Sequence, residues 1–599
     1  MRFVLAIAAF VVAAAMIITG IAQRTVFLGP PTQTVDVKVS GELPYTVIDG
    51  TTLNANPGQQ TVTLAGSSKA YLAYGRTSDV KAWLGESKYN LLTLDDENKL
   101  VSDVVTPKPA DTSTGSNSGD DASAEADADA ASDVTDPAGS DLWLGEFTED
   151  RALIAPMSVP DDVSVLIASD GTEPAPSTVK LSWPLDNATP WAGPLIVGGI
   201  ILLAVGLVLY LLGLRHMRRS RGPRRKSLPP LEDQKKLPRA PKARRPKAAR
   251  RSALIAVIPV ALVSSLALSG CSPSFWPQMS APSATPSSTS TDLAATDDGQ
   301  PAPVVSVPQI ERIVSKISAV VADADEQKSA DVAATRLTGP AFDERKANYQ
   351  IRSKNADAQA TTAIPASPIT LTLPQASDTW PRTVMTVIQD ADDTSVAPTL
   401  LVLTQETPRA NYLIDYSVRL EPQAQIPDVA PATIGASQIP PDSSFLLLAP
   451  DKIAEAYADV LANGDGSQYA AQFAAEGDTL RTQVSEDREK KKADLPDTAS
   501  IEFATKAGSG PALALATNDS GAIIAVNVTD SETVKPVEDG ASVKTSGAVA
   551  SLSGLTETKK GVTSTYGDQL LFYVPPTGST EKIRLLGFSQ ALVSATELP

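Results

Sequence analysis

The sequence predicts a multi-domain membrane protein: three apolar helices, an all-β region and a tandem α+β region. Three observations predict it. Three long apolar segments carry no charge, a period-two pattern lies between the first two, and helical then period-two segments follow the third, twice over. At 599 residues, several domains are expected. With a single Cys and a single His, no internal disulfide framework can form, and most Ser/His, Cys/His and His–metal chemistry is excluded.

The first apolar segment, Phe3–Ala22, is flanked by Arg2 and Arg24; the second runs from Trp191 to Leu214; the third, Ala253–Gly270, contains Pro259. About 20 helical residues cross a hydrocarbon layer of ~30 Å, so the first two are long enough and the third is marginal. Phe3–Ala22 reads as a retained anchor or as a cleaved signal. Charge sets the orientation. Between Arg215 and Arg251 there are 16 Lys/Arg against Glu232 and Asp233, a net +14 inside a chain of net −18. Basic loops are retained in the cytoplasm, so 215–252 is expected there, with 24–190 and 271–599 extracytoplasmic. His216 falls in the basic stretch. That stretch is broken by prolines and lacks interleaved aromatics, so it fixes topology and touches anionic lipid; no nucleic-acid partner is expected.

Residues 24–190 have a period-two pattern in short runs: Val35, Val37 and Val39 alternate with Asp36 and Lys38, and Val62–Leu64, Tyr71–Tyr74, Leu91–Leu94, Val163–Ile167 and Val179–Trp183 are further strand candidates. No helical period stands out, and a sandwich or barrel of six to eight strands is expected. Trp-Leu-Gly-Glu occurs at 83–86 and at 143–146, and reads as two equivalent strand-to-turn positions with the tryptophans packed inward. Residues 107–141, rich in Ala, Asp, Ser, Thr and Gly, read as a disordered acidic insert. Asp127-Ala128-Asp129 within it lacks the rigid setting that a metal motif needs.

Residues 272–303 form a Ser/Thr/Pro/Ala linker. In the first α+β region, 304–425, Ile310, Ile313, Val314, Ile317 and Val321 mark one face of a helix; a second helix follows from Pro340, then strands at 369–373, 382–388, 400–404 and 412–420. The second, 440–599, repeats the order: helices at 450–461 and 478–492, then strands at 500–504, 512–516, 522–528, 548–552, 570–574 and 583–589.

Two resemblances follow from these residues. Leu268-Ser269-Gly270-Cys271, after a basic stretch and a short apolar run, resembles the lipobox of bacterial lipoproteins. That resemblance implies lipidation of Cys271 and cleavage before it, which would give a two-helix membrane protein and a lipoprotein; the alternative is an ordinary third membrane helix. The order of helices then sheet resembles the cystatin-like cone of nuclear-transport-factor-type domains, and the whole layout resembles actinobacterial envelope proteins, some labelled glycosyltransferases. A cone implies a pocket, with Tyr349, Trp380, Tyr412 and Tyr416 lining one half and Tyr457, Tyr469 and Phe473 the other, unless these side chains are simply core.

The expectation is a non-enzymatic, membrane-anchored envelope protein without a cofactor or metal, presenting binding domains to a cell-wall polymer or envelope protein. A carrier of lipid or another small apolar ligand is the alternative, and a carboxylate-based glycosidase or transferase a third.

Overall fold

The computed structural model describes residues 2–39, 42–107, 134–185, 189–220, 301–389, 396–422 and 424–599. The third apolar segment and the lipobox residues Leu268, Ser269, Gly270 and Cys271 lie outside them. The chain divides into two compact units, one holding residues 1–34, 57–60 and 182–288 and the other the remainder.

The first unit contains helices α1 (Arg2–Thr25) and, later in the chain, α4 (Ala192–Ser220). Both are long and apolar enough to cross a membrane. α4 runs past the expected end of its apolar segment, so His216 belongs to the helix and not to a loop. The two helices pack antiparallel: Phe3 meets Tyr210 edge-on, with ring centroids 5.8 Å apart, while Gly206 lies against Phe10 and Gly199 against Ile17. The contact positions recur every seven residues. Ala6, Ala13 and Gly20 are buried on α1, and Ala192, Gly199, Gly206 and Gly213 on α4. A Cβ on Gly199 would stand 2.6 Å from the Ile17 side chain and 3.0 Å from the Ala13 carbonyl, so only glycine permits this approach. A seven-residue repeat keeps one seam facing its partner along a supercoil.

The part of the chain between these two helices forms an eight-stranded sheet, most of it in the second unit. Its strands are β1 (Thr32–Lys38), β2 (Tyr45–Ile48), β3 (Gln60–Arg76), β4 (Tyr89–Leu94), β5 (Leu100–Val105), β6 (Gly145–Met157), β7 (Val163–Ala168) and β8 (Thr178–Pro184). The order is β1-β8-β3-β7-β2-β4-β5, with β6 beside β3. Two short helices break the all-β expectation: α2 (Gly50–Leu53) and α3 (Thr77–Leu84). They lie on the crossover that lets β2 and β4 pair in parallel. The two Trp-Leu-Gly-Glu copies are therefore not equivalent. Trp83 lies in the last turn of α3, whereas Trp143 lies in the loop leading into β6. Both rings are buried all the same, with centroids 5.4 Å apart, beside Tyr45.

Of the expected acidic insert 107–141, residues 108–133 lie outside the described residues, and its end is ordered. Residues 134–141 are built into the structure: Thr135 exchanges hydrogen bonds with the Tyr45 hydroxyl, and the Pro137 carbonyl accepts from Trp143 Nε1.

The C-terminal region begins with α5 (Val307–Gln327), α6 (Ala330–Ala334) and α7 (Gly339–Lys354). All five residues expected on one face of α5 are buried. Strands β9 (Ile369–Pro374), β10 (Arg382–Ile388), β11 (Thr399–Gln405) and β12 (Leu413–Leu420) follow. The second half has α8 (Pro450–Asn463), α9 (Thr479–Ala493), β13 (Ala499–Ala507), β14 (Leu513–Ala516), β15 (Ala522–Pro536), the two-residue strands β16 (Val543–Lys544) and β17 (Glu557–Thr558), β18 (Val562–Val574) and β19 (Arg584–Glu597). Residues 548–552, expected as a strand, lie in α10 (Gly547–Ser553): Ala-Val-Ala-Ser-Leu is too short an apolar run for its period to separate the two states.

All the long strands share one nine-stranded sheet in the order β13-β15-β18-β19-β12-β11-β10-β9, with β14 beside β15. The halves meet last strand to last strand, Arg419 opposite Phe588 and Leu420 opposite Gly587. Gly587 is required there, since a Cβ would stand 2.3 Å from the Arg419 carbonyl oxygen. One face of each half packs mainly on its own helices, and α7 also reaches β18 and β19, where Gln569 donates to Glu344. The other faces pack on each other: Met385, Val402 and Tyr416 share a core with Leu515, Ile523 and Leu571. The two halves thus form a single body.

Candidate functional site

The most heavily built polar site lies where the N-terminal sheet region docks on the C-terminal region. Its centre is α3. Asp79, in the first turn, accepts from Arg382 Nη2 at 2.7 Å; Arg382 is fully buried and its guanidinium carbon lies 3.7 Å from the Trp380 ring centroid. At the other end of α3 the carbonyls of Trp83 and Leu84 accept from Arg409 at 2.8 and 3.1 Å. A helix start favours an anion and a helix end a cation, so the C-terminal region supplies or pairs the charge that each end prefers. Trp380 also packs against the cluster of Tyr45, Tyr71, Trp83 and Trp143.

The loop before β6 forms a second strap. Asp141, 2% exposed, pairs with Arg336 at 2.5 Å and accepts from the Tyr412 amide at 3.1 Å. Its own amide donates to Asn411. Ser306 and Gln309 form the capping box of α5, and Gln309 Nε2 reaches on to the carbonyls of Asp141 and Leu142 at 2.8 and 3.2 Å. Arg312 donates to the Trp143 carbonyl, and Lys316 stands 3.7 Å from Glu146 at the rim of a 340 Å³ cavity. Cations are in surplus at the centre. Arg76, buried and donating to the Pro303 carbonyl, stands near Arg382 and Asp79. Burial lowers its pKa, Asp79 opposes that, and Arg382 adds to it.

A second polar site is a 270 Å³ cleft between α9 and the outer halves of β13, β15 and β18. Arg488 pairs with Asp530 at 2.6 Å and Lys491 with Glu532 at 2.6 Å, and their cationic ends lie over Phe503 and Tyr566. Despite burial, the hydrogen bonds to Asp487 and Glu532 hold the Lys491 pKa above its ordinary value. Nearby, Asp568 on β18 is fully buried, and neither of its oxygens makes a hydrogen bond of ordinary geometry. Desolvation pushes its carboxyl up to about 7. Asp415, the other strongly raised carboxyl, reaches about 6 by burial although Thr404 donates to it. The groups that act on it, Thr404 and Glu406, include none of those around Asp568, which are Gln590, Asp530 and Arg488. Among the described residues no group of three or more His, Cys, Asp or Glu side chains stands where it could hold a metal ion.

The seven aromatic residues expected to line pockets fall in four places. Tyr349 is in the core of the first half, its hydroxyl bonded to Asp325. Trp380 and Tyr412 belong to the docking site, Tyr412 being 1% exposed. Tyr416 lies on the opposite face of the sheet from Tyr412, in the core between the halves. Tyr457 and Phe473 pack with Phe572 in the second half, where Tyr469 lies at the edge. Pattern reading missed the arginines, although Arg382 at the head of the uncharged strand segment 383–388 is a visible signal: a lone charge on a buried strand needs a partner.

Residues 301–597 match the family model described as "Domain of unknown function (DUF8094)". No curated protein and no solved structure matches the chain.

Proposed function

We propose that this is a non-enzymatic, membrane-anchored envelope protein that presents its sheet regions outside the membrane as one binding body. The docking site carries this reading. The N-terminal sheet region lies in sequence between the two apolar helices, and buried ion pairs fasten it to the C-terminal region. An anchor on the first region therefore holds the second. The basic stretch after α4 supports placing 215–252 in the cytoplasm and 24–190 and 271–599 outside, with Trp191 at the outer interface. Cys271 is the lipidation position if the lipobox is read by its peptidase. We read the two halves of the C-terminal region as diverged cystatin-like units joined at their last strands. The partner is a wall polymer or another envelope protein.

Labelling of intact protoplasts with an impermeant amine reagent tests the placement. Lysines such as Lys69 and Lys452 should react while those of 226–247 stay protected; the reverse pattern overturns it. Crosslinking from the outer surface should then recover a reproducible partner.

An apolar carrier draws little support from the described aromatic residues, which pack in cores or at the docking site. A ligand in the α9 cleft would be small and polar, because charged side chains wall it.

A further inference from the structure

We propose that the docking site is a self-sufficient assembly surface. On this view residues 301–599 stay bound to residues 1–220 without a peptide link, and a break between 221 and 300 yields a two-chain complex rather than two independent proteins. The inference deepens the reading above and identifies the partner of the C-terminal region as the N-terminal sheet region of the same gene product. The structure supplies the reasons. Four separated stretches of the C-terminal region converge on the N-terminal sheet region: 303–316, Arg336, 380–382 and 409–412. None of them depends on the connecting segment. Asp79, Asp141, Arg336 and Arg382 are all less than 9% exposed. Charged contacts between domains that merely touch sit at a wet rim, whereas here the charges occupy the centre and aromatic side chains surround them. Separation would leave each ion without its partner, and Trp380 without the cluster it packs on.

The test uses the full chain in detergent, with a protease recognition sequence inserted after Ser280. Cutting releases a C-terminal fragment that has none of the three apolar segments, so a shared micelle cannot hold it to the other fragment. Size-exclusion chromatography of the cut protein should show both fragments in one peak. Folded fragments eluting apart would overturn the proposal. Asp141→Asn should loosen the cut complex by about a hundredfold or more in Kd. Unchanged association in that variant would also overturn it. Should Asp141→Asn fail to fold, Arg409→Gln, which removes the cation from the end of α3, should give a weaker loss of the same kind, and no loss would count against the proposal. Because the measurement is made in detergent, it is independent of which side of the membrane each region occupies, so a failed labelling test leaves it standing.

Discussion

Two seams hold sequence-distant parts of this chain together, and they are built from opposite materials. The α1–α4 seam contains no charge: alanine and glycine recur every seven residues, apolar side chains of one helix lie against glycines of the other, and backbones approach closely. The docking site is made of arginine, aspartate and tryptophan. The difference follows from the surroundings each seam must compete with. Two apolar helices gain nothing by hiding leucine from lipid, so fit alone decides which faces meet. In water, apolar burial supplies the drive for almost any pairing, and buried ions select one arrangement by penalising all others.

That contrast predicts unequal costs. Asp79→Asn removes the buried carboxylate that Arg382 pairs with, beside a second buried guanidinium, Arg76, and should lower unfolding stability by about 3–5 kcal/mol in urea titration. A loss below about 1 kcal/mol would mean that the ions are bystanders. In the helix pair, Gly199→Leu must push the backbones apart, at about 1–3 kcal/mol. Maleimide cross-linking between F3C and Y210C in a C271S background should fall accordingly, and full retention would contradict the close seam.

Asp568 gives a pH-dependent case within the C-terminal region. Its folded carboxyl binds a proton up to about pH 7, above the unfolded value of ~4. Stability should therefore be highest at low pH with respect to this group, and decline as pH rises from ~4 to about 7. Asp568→Asn should flatten that slope and raise the melting temperature at pH 8; an unchanged slope would show the group to be solvated. The smallest effect is expected at the rim, where Lys316→Ala removes a half-exposed pair with Glu146 and should cost less than about 1 kcal/mol.

Legibility in the sequence followed how local the cause was. The face of α5 could be read from 310, 313, 314, 317 and 321 because helical period is a local property. The short helix α3 could not, since eight residues between two strands carry too little period, yet it is the element that Arg382 and Arg409 hold at its two ends. The pairs 79–382 and 141–336 join residues hundreds of positions apart, and Asp141 closes a run of acidic residues that reads as solvated. The seven-residue spacing of Gly199, Gly206 and Gly213 was fully visible and meaningful only once a facing helix was known.

Gly587 has a consequence for how the double sheet can change over generations. If the two halves descend from one ancestral unit, many duplicated positions are free to diverge, because each half keeps a core of its own beneath its helices, although α7 also lies on β18 and β19. Residue 587 is not, since one added methyl group there would act as a wedge driven into the weld.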